Sequence, residues 1–445
     1  MSLSSRQKKI AVLGAGRSGL AAAQLAAANG INVLVSDRNK STDGFKNTSP
    51  LIEFEWGRHS SAVLEAERII ISPGISDTVP IVTKAKMRGI PVSSEIEFAA
   101  QWWRGPIIGI TGTNGKSTTV TLTSEILSAH GLPVREAGNI GTAFSEVVQN
   151  NEDTSTIAVL ELSSFQLEHS SHLLLDAAAI LNLAPDHLDR YPDVMSYYDA
   201  KLNIISSLKE NAPLIINADD QVLLQRIGNR VSTYSSFSLK ANNAAARIRD
   251  AEICVGDQRF SIADLRLPGI HNRQNVAAAI LLAATRGPLQ VSTVAEVLAG
   301  FSGLPHRLAH VHTQEGVRFF NDSKATTIES TMMALSGFDK PLILIAGGRN
   351  KGGDFTRLRP LISEHVAHAV VIGEAADELS AAWQDVVTMD KCTSMETAVK
   401  IAKRKAKEHD GDVLLSPACA SFDMFRDFEH RGQQFTRLVK GEDDE

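Results

Sequence analysis

One run of residues fixes most of what this chain can fold into. Ile107-Ile108-Gly109-Ile110 is apolar and strand-like. It stops at Thr111-Gly112-Thr113-Asn114-Gly115-Lys116-Ser117-Thr118-Thr119, and Val120, Leu122, Ile126 and Leu127 then recur at helical spacing. A buried strand that breaks at glycines and enters a helix aims backbone N–H groups and the helix N-terminus at an anion. Lys116 adds a full charge for β- and γ-phosphates, and Ser117 is placed to ligate Mg²⁺. The spacing is a variant: the general phosphate loop carries its first glycine where this chain has Ile110, and here that glycine is Gly112. Such a unit implies a parallel sheet covered by helices, hence an α/β protein that handles a nucleoside triphosphate.

The chain has 445 residues, too many for one core, and about three domains are expected. Apolar residues make up 43% and charged residues 22%, the balance of a globular protein, and a net charge of −6 gives no reason to expect nucleic acid as a partner. Cys254, Cys392 and Cys419 are too far apart for a disulfide framework or a zinc site, which fits a reducing compartment. With no apolar run near 18 residues and no signal sequence in Met1–Lys9, a cytoplasmic enzyme without membrane insertion is expected. The acidic end, Gly441 to Glu445, reads as a solvated tail.

Before the phosphate loop, Lys9-Ile10-Ala11-Val12-Leu13 reads as a strand, Gly14-Ala15-Gly16-Arg17-Ser18-Gly19 as a turn, Leu20 to Ala28 as a helix, and Ile31 to Ser36 as a second strand ending at Asp37. This is a complete G-x-G-x-x-G fingerprint, with an acidic residue 18 positions after its last glycine. Alone it predicts a nicotinamide or flavin enzyme, but the turn serves any nucleotide diphosphate. Arg68 to Ile71 runs into a second small-residue turn, Ser72-Pro73-Gly74-Ile75, and Gly105-Pro106 closes the segment.

Beyond the phosphate loop, Gly138-Asn139-Ile140-Gly141 reads as a polar turn between helical stretches. Thr156 to Leu160 is a strand leading to Glu161, the position of a second metal anchor beside a phosphate-loop strand. Ser163 and Gln166 lie just beyond, able to hydrogen-bond a substrate or a developing oxyanion. The strand Ala178 to Leu183 exits into Pro185-Asp186-His187-Leu188-Asp189-Arg190-Tyr191, and that cluster favours His187 as a direct or water-mediated Mg²⁺ ligand. Lys201 reads as a surface lysine on a helix. Residues 231–266 form a β-rich excursion, and an alanine-rich helix opens at Leu267 to Val276.

The last third alternates strand and helix again. Arg307 follows the break at Gly303-Leu304-Pro305, and its five fixed donors suit a triphosphate. Strands at Val317 to Phe320, Pro341 to Ala346, Ala369 to Ile372 and Asp412 to Leu415 imply a second Rossmann-like unit. Lys351 and Ser421 are placed to take the carboxylates of an amino acid, with Phe422 and Phe428 as walls.

The loop GTNGKST resembles that of the Mur ligase family, the ATP-dependent amide-forming enzymes of peptidoglycan precursor synthesis, to which folylpolyglutamate synthases are related. LELSSFQLE, PDHLDRYP, the G-x-H-N-x-x-N block at Gly269, NDSKAT and SPACASFDMF follow in family order, so that the resemblance covers essentially the whole chain and points to the glutamate-adding branch. It implies three domains: a UDP-substrate-binding Rossmann-like domain at 1–98, a central ATP-binding domain at 99–303 with a P-loop-type parallel sheet and a small β-rich excursion, and a C-terminal Rossmann-like domain at 304–445 that takes the amino acid.

Carried over residue by residue, the resemblance puts Arg17, Ser18, Asp37, Ser72, Pro73, Gly74, Asn139, Ser163 and Gln166 at a UDP-linked substrate. It puts Gly112, Thr113, Asn114, Gly115, Lys116, Ser117, Thr118, Asn272, Arg307 and Asp322 at ATP. Lys324, Thr326, Lys351, Ser421, Phe422 and Phe428 fall at glutamate. Catalysis would rest on Lys116, Glu161, His187 and Lys201. Two Mg²⁺ are implied at Ser117, Glu161, His187 and Lys201, the last as a carbamate, 14 residues after His187; carbamylation turns a cation that would repel the metal into an anion that holds it. The family pattern Asp-Thr-Arg is replaced here by Asp37-Arg38-Asn39, and Lys-Ala-Thr-Asn by Lys324-Ala325-Thr326-Thr327, so contacts from Arg38, Asn39 and Thr327 are not carried over.

The activity the resemblance implies is addition of glutamate, in the first instance D-glutamate, to UDP-N-acetylmuramoyl-L-alanine by a monomer, through an acyl phosphate and a tetrahedral intermediate, with domain closure keeping water out. Alternatives are an L-glutamate-adding variant and a folylpolyglutamate-synthase-like ligase, although the latter would not need the first hundred residues. A nicotinamide oxidoreductase leaves GTNGKST, Glu161 and Lys201 unused, and a partner-coupled ATPase leaves the first and last domains unused.

Overall fold

The computed structural model describes residues 9–39, 49–139, 141–151, 153–187, 190–265, 267, 269–301, 303–338 and 341–442. The readings placed on Met1 to Lys8, Ile140, Leu188, Asp189, Arg266, Pro268 and the last three acidic residues lie outside them. The chain forms two compact units, residues 1–261 with 274–297, and residues 262–273 with 298–445.

The first unit holds two sheets. The N-terminal one is wholly parallel, in the order Ile52–Trp56, Asn32–Asp37, Lys9–Leu13, Arg68–Ile71 and Val92–Ser94. Its central strands are near-continuous apolar runs because helices cover both faces. The chain reverses its direction of progress across the sheet at Lys9–Leu13, so the glycine turn after Leu13 and the turn after Ile71 meet at the crevice where such sheets bind ligands. The helix Arg17–Ala28 turns its alanines inward.

The second sheet has nine strands, in the order Gln258–Ser261, Glu252–Val255, Ala246–Ile248, Ser235–Ser238, Leu214–Asn217, Ala177–Ile180, Ile107–Thr111, Ile157–Glu161 and Val134–Gly138. Only the pairings among the first three are antiparallel, and these strands are the expected β-rich excursion. Ile107–Thr111 is buried throughout and lies between Ile157–Glu161 and Ala177–Ile180, again where the chain changes direction across the sheet. One apolar cluster runs from Val12, Ala22 and Ala26 of the first sheet's layer to Phe144, Leu160 and Ile216 of the second.

The second unit carries a six-stranded sheet, in the order Ala309–Gln314, Val317–Asn321, Asp412–Leu415, Leu342–Gly347, Val366–Ile372 and Met389–Cys392, parallel except for the first pair. The loops after Asn321, Gly347 and Leu415 leave three neighbouring strands at the same end.

Two readings change. The turn at Gly138 is not between helices: Val134–Gly138 is an edge strand and the helix Phe144–Gln149 follows it. Lys201 is not a surface residue; it is 2% exposed on the helix Val194–Ser206. Among the described residues no helix is long and apolar enough to cross a membrane.

Candidate active site

The phosphate loop is built as its glycines require. Gly115 caps the helix Lys116–Ala129 in the left-handed region at φ +83°, and a Cβ there would sit 2.2 Å from Asn275 Oδ1. Asn182 clamps the loop from the neighbouring strand exit: its Oδ1 accepts from Asn114 N at 2.8 Å, its Nδ2 donates to Asn114 O at 3.0 Å, and its carbonyl accepts from Thr113 N at 3.0 Å. Thr113 Oγ1 donates to Ala184 O at 3.1 Å. Lys116 Nζ donates to Gly112 O and Thr113 O, both at 2.9 Å, which holds the ammonium over the mouth of the loop. Gly115→Ala should lower thermal stability and raise the KM for ATP. A strained left-handed backbone costs about 1–3 kcal/mol, and Asn275 would have to move. An unchanged melting temperature and KM in calorimetry and steady-state assay would contradict this account.

The carboxylate of Glu161 ends the strand beside the loop and is 1% exposed. Its Oε2 accepts from Ser117 Oγ and its Oε1 from Asn139 Nδ2 at 2.8 Å. A hydroxyl and a carboxylate in contact at the start of a phosphate-loop helix are hard oxygen donors of the kind Mg²⁺ takes, so the pair fits that ion. Among the described residues no group of three His, Cys, Asp or Glu side chains comes together as a metal cluster. His187 is exposed, with Nε2 3.6 Å from Asp186 Oδ2, and its ring packs edge-on to Phe165 at 4.8 Å and Tyr197 at 5.8 Å.

Lys201 Nζ donates to Gly112 O at 2.9 Å, the carbonyl that Lys116 also uses, and lies 4.6 Å from the Tyr197 ring centroid. Burial pushes its pKa well below the ordinary lysine value and the Lys116 charge adds to that, while Asp186 and Glu161 oppose it. An uncharged amine at this place can become a carbamate. Ser163 and Gln166, expected at a substrate, are engaged in a capping box: Gln166 Oε1 accepts from Ser163 N and Oγ, both at 2.9 Å, and Ser163 Oγ accepts from Gln166 N at 3.3 Å.

In the N-terminal sheet, Gly14 at φ +93° lies so close to Ser72 that a Cβ would be 2.6 Å from its Oγ, and a Cβ on Gly19 would meet Gly14 O at 2.0 Å; Gly16 faces open space. Two glycines therefore serve packing, and Gly16 leaves room for a ligand. Asp37 Oδ2 accepts from Ala15 N at 2.7 Å and Oδ1 from Asn39 N at 2.8 Å, so this carboxylate also shapes the turn. Arg17, Gly16 and Gly74 are exposed, and Ser18, Ser72 and Pro73 half-buried, around that crevice.

In the second unit, Asp322 Oδ2 accepts from Ser416 Oγ at 2.9 Å and Oδ1 from Leu308 N at 3.1 Å, and burial pushes its carboxyl up to about 7. Lys324 Nζ lies 3.8 Å over the Phe428 ring, and Lys351 Nζ donates to Thr326 Oγ1 at 3.1 Å. Ser421 is buried and Phe422 is 64% exposed. These residues thus share the strand-exit end of the sheet. Arg307 is half-buried beside His306, whose φ is +63°, and Asn272 is buried near the start of the helix Ile270–Ala284. Sequence reasoning missed Asn182, Asn275 and Arg431. The last is buried and donates to Ser323 O at 2.8 Å, Cys419 O at 3.1 Å and Gly347 O at 3.3 Å, tying three loops together. Asn275 alone had a signal, in the G-x-H-N-x-x-N block.

A phosphate loop with a hydroxyl–carboxylate pair, in a chain that also carries two Rossmann-like sheets, defines a nucleotide-dependent phosphoryl-transfer enzyme of α/β class. Models of the Mur ligase middle domain match residues 110–283, of the Mur ligase MurD-like N-terminal domain residues 8–94, and of the Mur ligase glutamate ligase domain residues 306–419. The chain belongs to the Mur ligase family. It is 38% identical to the UDP-N-acetylmuramoylalanine–D-glutamate ligase of Syntrophotalea carbinolica over 97% of both chains, and 39% identical to that of Koribacter versatilis over 98% of both. Among solved structures it is similar in fold to the MurF ligase of Thermotoga maritima in complex with ADP, with a TM-score of 0.61 and 18% identity over 99% of this chain and 96% of that one.

Proposed function

We propose that the chain joins D-glutamate to the L-alanyl carboxylate of UDP-N-acetylmuramoyl-L-alanine, consuming ATP and releasing ADP and phosphate, in cytoplasmic peptidoglycan precursor synthesis. The observation that carries the reading is the convergence of Lys116 and Lys201 on Gly112 O beside a phosphate-loop helix whose Ser117 meets Glu161, in a chain whose full-length relatives bear this activity in their names. The substrate carboxylate attacks the γ-phosphate to give an acyl phosphate. The glutamate amine attacks its carbonyl, and the tetrahedral intermediate expels phosphate. Lys116 and the loop N–H groups hold the transferring phosphoryl group in line, and most of the rate enhancement is positioning and charge stabilisation.

Ser117 and Glu161 would hold one Mg²⁺, and Glu161, His187 and a carbamate on Lys201 a second. When bound, the ions neutralise charge on the phosphates. Arg17, Ser18, Asp37, Ser72, Pro73, Gly74 and Asn139 receive the UDP-linked substrate. Ser163 and Gln166, joined by their capping box, contact the same substrate. Asn272, Arg307 and Asp322 take adenosine and phosphate, and Lys324, Thr326, Lys351, Ser421, Phe422 and Phe428 take glutamate. Domain boundaries at 98/99 and 303/304, and a monomer in solution, complete the reading.

The test is incubation with UDP-N-acetylmuramoyl-L-alanine, ATP, Mg²⁺ and either glutamate enantiomer. The product of expected mass should form with the D isomer; product only with the L isomer would favour the other ligase variant. Asp37→Ala should raise the KM for the UDP-linked substrate about tenfold or more, the loss of a charged hydrogen-bonding group, and leave that for ATP within twofold. NADH binding that no UDP-sugar displaces would return the fingerprint to the nicotinamide reading.

A further inference from the structure

Arg190 makes a set of contacts that the reaction chemistry does not explain. Its Nη1 donates to Pro73 O at 2.8 Å and its Nη2 to Ile75 O at 3.0 Å. Nη2 also faces Glu168 Oε2 at 3.4 Å, and the guanidinium carbon lies 4.2 Å from the Phe165 ring centroid. One side chain thus reaches from the exit of the strand Ala177–Ile180 to the turn at the end of Arg68–Ile71 in the other sheet. The fork geometry matters: two carbonyls two residues apart, a carboxylate and an aromatic face are met at once, which a lysine ammonium cannot do.

The contact continues toward the phosphate loop. Phe165, under the guanidinium, packs on His187 at 4.8 Å and on Tyr191 at 5.8 Å; Tyr197 packs on His187, and its OH donates to Thr113 Oγ1 at 3.4 Å. His187 has φ +54°, a left-handed backbone that is uncommon for a residue with a side chain. The amides of Arg190 and Tyr191 both donate to its carbonyl, at 3.0 and 3.1 Å. The far end of the Ser72 turn is held separately, by His169 Nε2 on Asp77 Oδ1 at 3.0 Å.

We propose that Arg190 is a positioning residue that locks the diphosphate-side turn, Ser72 to Ile75, to the His187 segment, so that the UDP-linked substrate's acceptor carboxylate is delivered at a fixed distance from the phosphate loop. The proposal deepens the ligase reading and rests on it for its kinetic consequence, not for the clamp. Arg190 touches neither reacting atoms nor ATP in this role. Losing it leaves ATP binding intact and spoils registration of the second substrate, which costs both KM and kcat because misplacement weakens near-attack geometry.

Wild type, Arg190→Lys and Arg190→Gln are compared in two measurements. In hydrogen–deuterium exchange of the full chain without substrates, the amides of Ser72, Gly74, Ile75, Ser76, His187, Arg190 and Tyr191 should exchange faster in both variants, while the strand Ile107–Thr111 keeps its protection. In steady-state assay, Arg190→Gln should raise the KM for UDP-N-acetylmuramoyl-L-alanine and lower kcat, each about tenfold, with the ATP KM within twofold of wild type; Arg190→Lys should recover only part. Unchanged exchange in both segments overturns the clamp. So does a variant whose lower Vmax tracks a lower folded fraction with both KM values unchanged, since that is a merely structural arginine. Changed exchange with wild-type kinetics overturns the positioning role. If wild type makes no product while the exchange pattern changes, the clamp stands and the ligase reading falls.

Discussion

Lys116→Ala should reduce product formation at least about a hundredfold, the usual scale for removing one charged group from a phosphoryl-transfer site. The fold should survive. The side chain contributes two hydrogen bonds to loop carbonyls, Gly112 O and Thr113 O, each worth about 1 kcal/mol net, and alanine is a better helix former than lysine at the first helical position. The melting temperature should therefore shift by a few degrees at most. Removing Lys116 also relieves a charge that depresses the Lys201 pKa, so the two lysines are not independent and a double mutant should lose less than the product of the single losses. Near-normal turnover in the single mutant, at saturating ATP, would detach the GTNGKST loop from the chemistry.

What the sequence disclosed about the fold follows burial. The central strands Lys9–Leu13, Ile107–Thr111 and Asp412–Leu415 are covered on both sides, so their residues are apolar in sequence and legible as runs. The strands that went unread lie at sheet edges: Ile52–Trp56, Val92–Ser94, Val134–Gly138, Ala309–Gln314 and Met389–Cys392. Each pairs with one neighbouring strand only; four of them carry charged or polar residues such as Glu53, Arg135, Glu136, His310 and Lys391, which discourage further pairing and erase the apolar signal, while Val92–Ser94 is too short and serine-rich to read as an apolar run.

The site divides in the same way. Chemistry-bearing residues in local motifs were legible, because a loop's phosphate geometry is set by adjacent residues. Contacts made across the fold were not: Asn182 reaches Asn114 over 68 residues and Arg190 reaches Pro73 over 117. The capping box of Ser163 and Gln166 is different, since S-x-x-Q before a short helix states its role locally. Their position just after Glu161 separately suggests residues that face a ligand.

Lys201→Ala should be nearly inactive, and the reason separates two readings of one buried amine. As an ammonium, Lys201 would sit 2.9 Å from Gly112 O, beside Lys116, and repel any cation held by Ser117 and Glu161. Burial instead favours the neutral amine, whose lone pair can attack CO₂; the N–C bond forms, one proton leaves, and the product carries a carboxylate. A carbamate here would supply an anionic oxygen ligand, and alanine would remove it together with the chain that fills the space. Activity should then fall about a hundredfold or more, and a short-chain carboxylic acid should restore part of it by occupying the vacated volume. The same acid should not restore Glu161→Ala, whose carboxylate sits at a strand end between Ser117 and Asn139. A readout independent of turnover is ¹³C NMR of the wild-type protein under ¹³CO₂, where one carbamate carbon signal should appear that is missing from Lys201→Ala. If that signal is absent from the wild type and Lys201→Ala keeps full activity without added acid, Lys201 is a buried structural amine and the second metal position loses its third ligand.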